Sequence, residues 1–282
     1  MLVPGSASQS LTAQLAAETE RELAVPTIDR FADGELCASV PGFAGETAVV
    51  VAATTSNDAL IELLQLQDAV REAGATHVTT VLPYMGYARQ DQSFREGEPV
   101  SARAVARAVS TGTDRVVLVS PHEPSVAEFY DVPTATVDAA PRLAAALSDL
   151  RDPLFLGPDA SATSIARAVR DAYGEGTIDH FEKRRDRDTG AIEIAGEADA
   201  TGRDVVITDD IVATGSTVAG AVDALTRHDP RRITAACVHP MLVGNARAKL
   251  AAAGVDRVVG TDTVERPASV VSAAPAVADA VE

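Results

Sequence analysis

The sequence predicts a doubly wound α/β protein, and three observations support this fold class. Short apolar runs rich in Val, Ile and Thr recur along the chain, as expected for parallel strands buried on both faces. Segments with helical spacing of apolar residues separate these runs, and such alternation is typical of a parallel sheet flanked by helices. The length of 282 residues corresponds to one large domain or two ordinary ones, at roughly 150 residues per domain.

The individual elements follow from these two kinds of pattern. The predicted strands are, in chain order, Ala48–Ala53, His77–Leu82, Arg115–Val119, Leu154–Leu156, Asp204–Thr208, Ile233–Val238 and Arg257–Gly260. The predicted helices are Asn57–Ala73, Ser101–Ser110, Ser161–Tyr173, Ser216–Arg227 and Asn245–Ala253. In the first of these helices, Leu60, Leu63, Leu64 and Val70 repeat at the spacing of one helical face.

The acid- and proline-containing stretch Asp138–Pro153 divides the chain into two parts of similar length. Each part contains several strand–helix units and has the size of an ordinary domain. We therefore predict one domain over residues 1–140 and a second over residues 141–282. Within the second, Glu182–Gly202 is polar and contains glycine, which predicts either a mobile loop or a protruding hairpin.

Composition and charge exclude several classes of protein. The chain has 24 Lys and Arg against 41 Asp and Glu, a formal charge of −17, so its field has the wrong sign for a nucleic-acid binder. Cys37 and Cys237 form no metal-binding pair, which indicates a reduced compartment. The start does not resemble a signal peptide, and no apolar run reaches the ~18–20 residues of a bilayer span. We expect a cytoplasmic protein with no membrane or nucleic-acid partner.

The acidic balance has two interpretations. It could provide a surface for a cationic partner, or a solvated shell for work at high salt, where ions screen the self-repulsion. The even spread of acids along the chain favours the second interpretation. Of the 24 basic residues only two are lysines, Lys183 and Lys249, so the position of each lysine is informative.

The strongest local motif is Val205–Thr217, in which an apolar strand ends in Asp209 and Asp210 and a small polar turn then opens a helix. Backbone N–H groups at a helix N-terminus, aided by hydroxyls and a glycine, hold a phosphate group. Two carboxylates just before that turn would accept hydrogen bonds from the hydroxyls of an attached sugar. A helix cap alone requires fewer of these residues.

This motif resembles the phosphoribosyl-diphosphate loop of the type I phosphoribosyltransferase fold. Further segments resemble, in order, signatures of the ribose-phosphate diphosphokinase family, which makes phosphoribosyl pyrophosphate for nucleotide biosynthesis. These segments are Phe31–Glu35, Ser56–Leu64, Pro83–Asp91, Gly97–Ala102, His122, Phe129–Pro133, Lys183–Arg185, Gly254–Asp256 and Thr261–Thr263. The resemblance implies two type I phosphoribosyltransferase domains with mostly parallel sheets flanked by helices, the first on the ATP side.

The resemblance also implies a role for each matching residue. ATP would be bound by Phe31, Asp33, Gly34, Glu35, Arg89 and Gln90. The first four of these would reach it from a neighbouring subunit, so the chain is expected to form at least a dimer. Ribose 5-phosphate would be bound by Arg185, Asp209, Asp210, Ala213, Thr214, Gly215, Ser216 and Thr217.

Catalysis and metal binding are assigned in the same way. Lys183 and Arg185 would be catalytic, folding over the reacting phosphates from the polar segment. His122 and Asp159 would form the Mg²⁺ site, although Ser120 stands where many relatives carry an acid.

The expected reaction is transfer of the pyrophosphoryl group of ATP to the 1-hydroxyl of ribose 5-phosphate. Two alternatives are a phosphoribosyltransferase that consumes the product and a non-catalytic regulatory relative. The first shares the phosphate loop but has no use for the motifs of the first domain. The second would be expected to lose Lys183 or Arg185.

Overall fold

The structure, a computed structural model, describes residues 1–185, 192–195, 198–225 and 228–282, with no account of the side chains of 182–185 and 192–195. These residues form two compact units. Unit 1 comprises Met1–Asp138, Thr263–Glu265 and Ser272–Glu282, and unit 2 comprises Ala139–Asp262 and Arg266–Val271. The domain boundary that the sequence predicts between residues 140 and 141 stays a prediction.

The regular elements of the described residues are numbered in chain order. The strands are β1 (Leu2–Pro4), β2 (Thr27–Arg30), β3 (Leu36–Ser39), β4 (Thr47–Val51), β5 (His77–Leu82), β6 (Arg115–Val119), β7 (Thr134–Val137), β8 (Leu154–Gly157), β9 (Thr177–His180), β10 (Glu182–Arg185), β11 (Ile192–Ala195), β12 (Asp204–Ile211), β13 (Arg232–His239), β14 (Arg257–Thr261) and β15 (Ser269–Val271). The helices are α1 (Gln9–Thr19), α2 (Asn57–Glu72), α3 (Ser101–Ser110), α4 (Thr163–Tyr173), α5 (Ser216–Leu225), α6 (Ala246–Ala253) and α7 (Ala274–Val281). Short 3-10 turns cover Pro124–Phe129, Ala140–Ala146 and Ala160–Ala162.

Unit 1 is built on a five-stranded parallel sheet in the order β1-β4-β5-β6-β7. Val50 and Leu118 from this sheet pack with Leu63, Leu66 and other apolar residues of one core. Helix α2 begins where the Ser56 side chain accepts a hydrogen bond from the Ala59 N–H, a cap that satisfies a free helix donor. Strands β2 and β3 form a separate antiparallel hairpin.

Unit 2 is built on a six-stranded parallel sheet in the order β15-β14-β13-β12-β8-β9. Its long strand β12 begins at the buried Asp204, whose carboxylate accepts from the Arg151 N–H at 2.7 Å and pairs with Arg231 and Arg232. At the other end of β12, Asp209 lies opposite Cys237 of β13. Because all these strands are parallel, their carboxyl ends share one edge of the sheet, where α/β proteins bind ligands.

The predicted doubly wound fold is confirmed, with strand β5 and helix α3 at the predicted bounds. Helix α4 starts at Thr163 rather than Ser161, because Asp159 caps a 3-10 turn ahead of it. The hairpin alternative for the polar segment holds for β10 and β11, which pair antiparallel; the remainder, 186–191 and 196–197, lies outside the described residues. So does the end of the helix predicted to reach Arg227. No helix of the described chain has the length and apolar character that a membrane crossing requires.

Candidate active site

The predicted phosphate loop connects β12 to α5 in unit 2. Gly215 adopts φ +74°, and a Cβ placed there would lie 3.0 Å from Leu250 Cγ, so both the turn and the packing favour glycine. Thr214 and Ser216 are exposed, and their hydroxyl oxygens lie 3.1 Å apart. The helix therefore begins with exposed hydroxyls on a surface-facing turn, as a phosphate site requires.

Three carboxylates gather at the same edge of the unit 2 sheet. Asp209 Oδ1 accepts from the Asp210 N–H at 3.0 Å, and Asp210 Oδ1 accepts from the Ile211 N–H at 2.8 Å. Burial and the nearby charges of Asp210 and Asp159 raise the pKa of Asp209 well above its usual value. A bound cation or a donating sugar hydroxyl would relieve this repulsion.

These carboxylates fit a magnesium ion of the kind that phosphate substrates bring with them. Within the described residues, no three His, Cys, Asp or Glu side chains form a metal-holding group. Mg²⁺ is usually held by one or two carboxylates together with substrate phosphates and water. The charges of Asp210 and Asp159 both raise the pKa of Asp209, so a cation beside Asp209 would be favoured.

The structure places the predicted Asp159 ligand with its Oδ1 already accepting from the Ser161 and Ala162 N–H groups. The predicted partner His122 belongs to unit 1, where it is exposed in the turn that follows β6. The turn passes through Ser120, which has φ +40°. The metal assignment of His122 and Asp159 remains a prediction.

Four of the predicted ATP-binding residues form the tip of the β2–β3 hairpin in unit 1. The Phe31 N–H donates to the Glu35 carbonyl at 2.8 Å and Gly34, at φ +95°, completes the turn. Asp33 Oδ1 accepts from the Glu35 N–H at 3.2 Å. The Phe31 side chain is 56% exposed, so this tip presents an aromatic ring and carboxylates to solvent.

The other two predicted ATP-binding residues follow β5. Arg89 is exposed, whereas Gln90 is half-buried and its side chain accepts from the Ser101 hydroxyl at the start of α3. Tyr87, just before them, has φ +65° and donates from its hydroxyl to Asn57 Oδ1 at 2.5 Å. Sequence reasoning included this tyrosine in the segment Pro83–Asp91 but gave it no role of its own, although non-glycine residues in that conformation concentrate at functional sites.

The predicted catalytic residues Lys183 and Arg185 lie in strand β10, and their side chains lie outside the described part of the chain. Sequence reasoning assigned no role to the other lysine. Lys249 Nζ of α6 donates to Ser216 Oγ at 2.8 Å, which places a cation beside the phosphate loop. The scarcity of lysine in the chain was the signal that could have found it.

Comparison with known proteins identifies the family. A model described as the N-terminal domain of ribose phosphate pyrophosphokinase matches residues 1–112, and a phosphoribosyl transferase domain model matches residues 125–271. A ribose-phosphate pyrophosphokinase of Halobacterium salinarum is 59% identical over 282 residues, covering 99% of this chain and 100% of the relative. The chain belongs to the ribose-phosphate pyrophosphokinase family. The predicted family is thereby confirmed.

Two other proteins of the ribose-phosphate pyrophosphokinase family are also similar to this chain over nearly its whole length. One from Methanopyrus kandleri is 42% identical over 275 residues, covering 95% of this chain and 94% of the relative. A crystal structure of phosphoribosylpyrophosphate synthetase from Mycobacterium smegmatis has a TM-score of 0.83 at 29% identity, covering 100% of this chain and 97% of that one. The prediction of two phosphoribosyltransferase-type domains is therefore confirmed. Similarity to a Halobacterium protein supports the high-salt interpretation of the acidic composition.

Proposed function

We propose that the protein transfers the pyrophosphoryl group of ATP to the 1-hydroxyl of ribose 5-phosphate, releasing AMP and forming phosphoribosyl pyrophosphate. The observation that carries this proposal is the combination of two features in one chain. The first 112 residues match the pyrophosphokinase N-terminal domain, and unit 2 ends its strand β12 in an acid pair followed by a phosphate turn. A transferase that consumes the product needs only the second feature.

Unit 2 would bind the sugar phosphate. Asp209 and Asp210 would accept hydrogen bonds from the ribose hydroxyls, because their carboxylates lie near the end of β12, just before the phosphate turn. Residues 213–217 would hold the 5-phosphate through hydroxyls of Thr214, Ser216 and Thr217 and backbone N–H groups of Ala213 and Gly215. The α5 N-terminus adds a favourable dipole for an anion.

Unit 1 would bind ATP. The exposed Arg89 guanidinium suits a triphosphate, since it is always charged and makes forked contacts with phosphate oxygens. Gln90 is held by Ser101, which orients its amide. The exposed Phe31 ring and the carboxylates of Asp33 and Glu35 would stack on and hydrogen-bond an adenine supplied to a neighbouring subunit. Self-association follows from this arrangement and is part of the proposal.

In the reaction, the 1-hydroxyl oxygen attacks the β-phosphorus of ATP and the bond from that phosphorus to the α–β bridging oxygen breaks. AMP leaves with the electron pair, and the hydroxyl proton is released to solvent. Such transfers depend on positioning and charge stabilisation, and no nucleophilic side chain is needed. When bound, magnesium would neutralise part of the phosphate charge. Lys183 and Arg185 would stabilise charge on the bridging oxygens. A cytoplasmic location remains a prediction.

The test uses ATP labelled at the β-phosphorus, with ribose 5-phosphate and Mg²⁺. We expect the label in phosphoribosyl pyrophosphate and one unlabelled AMP per product molecule. Pyrophosphate release from phosphoribosyl pyrophosphate that needs a nucleobase and no ATP would instead show the transferase. No turnover in either assay, with the fold intact by circular dichroism, would favour the regulatory relative.

The assignment of ATP to unit 1 has its own variant. Arg89→Gln should raise the KM for ATP at least tenfold while leaving the KM for ribose 5-phosphate within twofold. Arg103→Gln is the matched control, because it removes the same charge from an exposed position of α3 in the same unit.

A further inference from the structure

The phosphate loop of unit 2 carries no positive side chain. Residues 213–217 are Ala, Thr, Gly, Ser and Thr, and two aspartates precede them. The chain as a whole has a formal charge of −17. A sugar phosphate, which carries close to two negative charges at neutral pH, would therefore meet an unfavourable local field unless a cation from another element offsets it.

Helix α6 brings such a cation to the loop. Lys249 Nζ lies 2.8 Å from Ser216 Oγ, and Ser216 Oγ lies 3.1 Å from Thr214 Oγ1. An ammonium group only donates, so Ser216 Oγ accepts from Lys249 and must direct its own proton elsewhere. That proton is then available to Thr214 or to an anion in the turn.

The position of α6 against the loop is fixed by the backbone. The Leu242 N–H donates to the Val212 carbonyl at 2.9 Å, and the Val243 N–H donates to the Ala213 carbonyl at 3.0 Å. On the helix itself, Leu250 packs so closely over Gly215 that a Cβ there would lie 3.0 Å from its Cγ. Two backbone hydrogen bonds just before α6 and the packing of Leu250 on Gly215 therefore hold α6 against the loop. Lys249, the residue before Leu250, is kept beside the loop by these three contacts.

Lys249 has no ion-pair partner in the part of the chain that the structure describes. It is half-buried. Acids outnumber bases 41 to 24 in this chain, so a lysine without a carboxylate partner has its charge available to a ligand.

We propose that Lys249 is a positioning residue for the 5-phosphate of ribose 5-phosphate, acting by orienting the Ser216 hydroxyl and by adding positive charge to the loop. This inference rests on the proposed function and extends the sugar-phosphate site of unit 2 from residues 209–217 to helix α6. The phosphate remains unchanged in the reaction, so its binding contributes equally before and during catalysis. A change at Lys249 should then alter the KM for the sugar phosphate and leave kcat nearly constant.

The test compares Lys249→Gln, Lys249→Arg and the control Arg247→Gln in steady-state assays of AMP formation. Arg247 is exposed on the same helix two residues away, so its substitution changes the net charge equally on a different face. We expect Lys249→Gln to raise the KM for ribose 5-phosphate about tenfold, with kcat and the KM for ATP within twofold. Lys249→Arg should restore the KM to within threefold of the unsubstituted protein, and Arg247→Gln should not alter it.

The outcomes separate this inference from the function on which it rests. Absence of AMP formation by the unsubstituted protein would overturn the proposed function. With that activity present, an unchanged KM for ribose 5-phosphate in Lys249→Gln would overturn the role of Lys249. An equal rise in Arg247→Gln would also overturn it, because general surface charge would then be the cause. Melting temperatures of all three variants, measured alongside, exclude misfolding as the source of a raised KM.

Discussion

Gly86 lies in the segment that carries the proposed ATP contacts. We expect its replacement by alanine to lower both the stability of unit 1 and the efficiency of ATP use. Its φ is not in the left-handed region, so alanine can adopt the backbone conformation. The obstacle is space, because a Cβ there would lie 2.2 Å from the Thr54 carbonyl oxygen. That is roughly 1 Å short of the ~3.3 Å at which carbon and oxygen pack.

The structure allows the cost to be estimated. Thr54 is held by its N–H donating to the Tyr84 carbonyl at 2.9 Å and by its Oγ1 accepting from the Gly86 N–H at 2.8 Å. Relief of the clash would break at least one of these bonds, at about 1 kcal/mol, in addition to about 1–3 kcal/mol for overpacking. We expect Gly86→Ala to lower the free energy of unfolding by about 2–4 kcal/mol and the Tm by roughly 4–8 °C.

The same shift should displace Arg89, three residues further on. Because a misplacement of about 1 Å can cost roughly 10²-fold in rate, kcat/KM for ATP should fall by that order while the KM for ribose 5-phosphate stays within twofold. Thermal denaturation and initial-rate assays measure the two effects. Gly74→Ala is the control: its φ of +106° is strained for alanine, but no heavy atom lies within 4 Å of the added Cβ. It should lose about 1–2 kcal/mol with unchanged ATP kinetics. Gly86→Ala with the stability and ATP kinetics of the unsubstituted protein would refute the reasoning.

Three further predictions concern the catalytic loop, acid stability and salt. Lys183→Ala should lower kcat at least ~10²-fold with an unchanged circular dichroism spectrum and partial recovery in Lys183→Arg, and full activity would exclude a catalytic role. Although burial favours the neutral acid, the Arg151 N–H and the guanidiniums of Arg231 and Arg232 hold the pKa of Asp204 below its usual value. Asp204→Asn should therefore lose about 2 kcal/mol of stability at pH 7, a difference that is present above pH ~3.9 and disappears as acid protonates the folded carboxylate. Urea titrations against pH measure it, with the exposed Asp171→Asn as a control expected to lose less than about 1 kcal/mol; equal losses would contradict the argument. Lowering salt from about 1 M to 0.1 M, which lengthens the screening distance from about 3 Å to 10 Å, should lower the Tm of this protein of charge −17, and an unchanged Tm would favour a cationic partner as the reason for its acidity.

The sequence predicted the elements whose pattern is long and self-contained. Strand β5 is a six-residue run rich in Val and Thr, and helix α3 keeps four buried residues on one face, so local patterning determined both. The strands that sequence reasoning missed are short: β1 and β15 are three residues long, and β2, β3, β7 and β9 are four residues long. A run of that length has no detectable period, and only pairing with a distant neighbour makes it a strand.

The candidate site also combines features that are local in the sequence with contacts between distant residues. Asp209, Asp210 and the turn that follows them were predictable, because strand, acids and helix start are adjacent in the chain. Asn57 and Tyr87 meet through a hydrogen bond between residues 30 positions apart, and Lys249 meets Ser216 across 33 positions. Contacts of this kind depend on how helices pack on the sheet, which one sequence does not reveal.

Helix α7 belongs to unit 1, where it packs beside α1 and the Val281 carbonyl accepts from Arg21 at 2.7 Å. The ribosome makes this helix only after the whole of unit 2 has been synthesised. During translation, all residues of unit 2 are therefore available before the last residues of unit 1. Unit 1 cannot complete its fold until α7 has been synthesised. A protein expressed as residues 1–138 alone would expose the face of α1 that α7 covers. For studies of isolated unit 1, residues 1–138 should therefore be joined to α7 by a linker that follows Asp138.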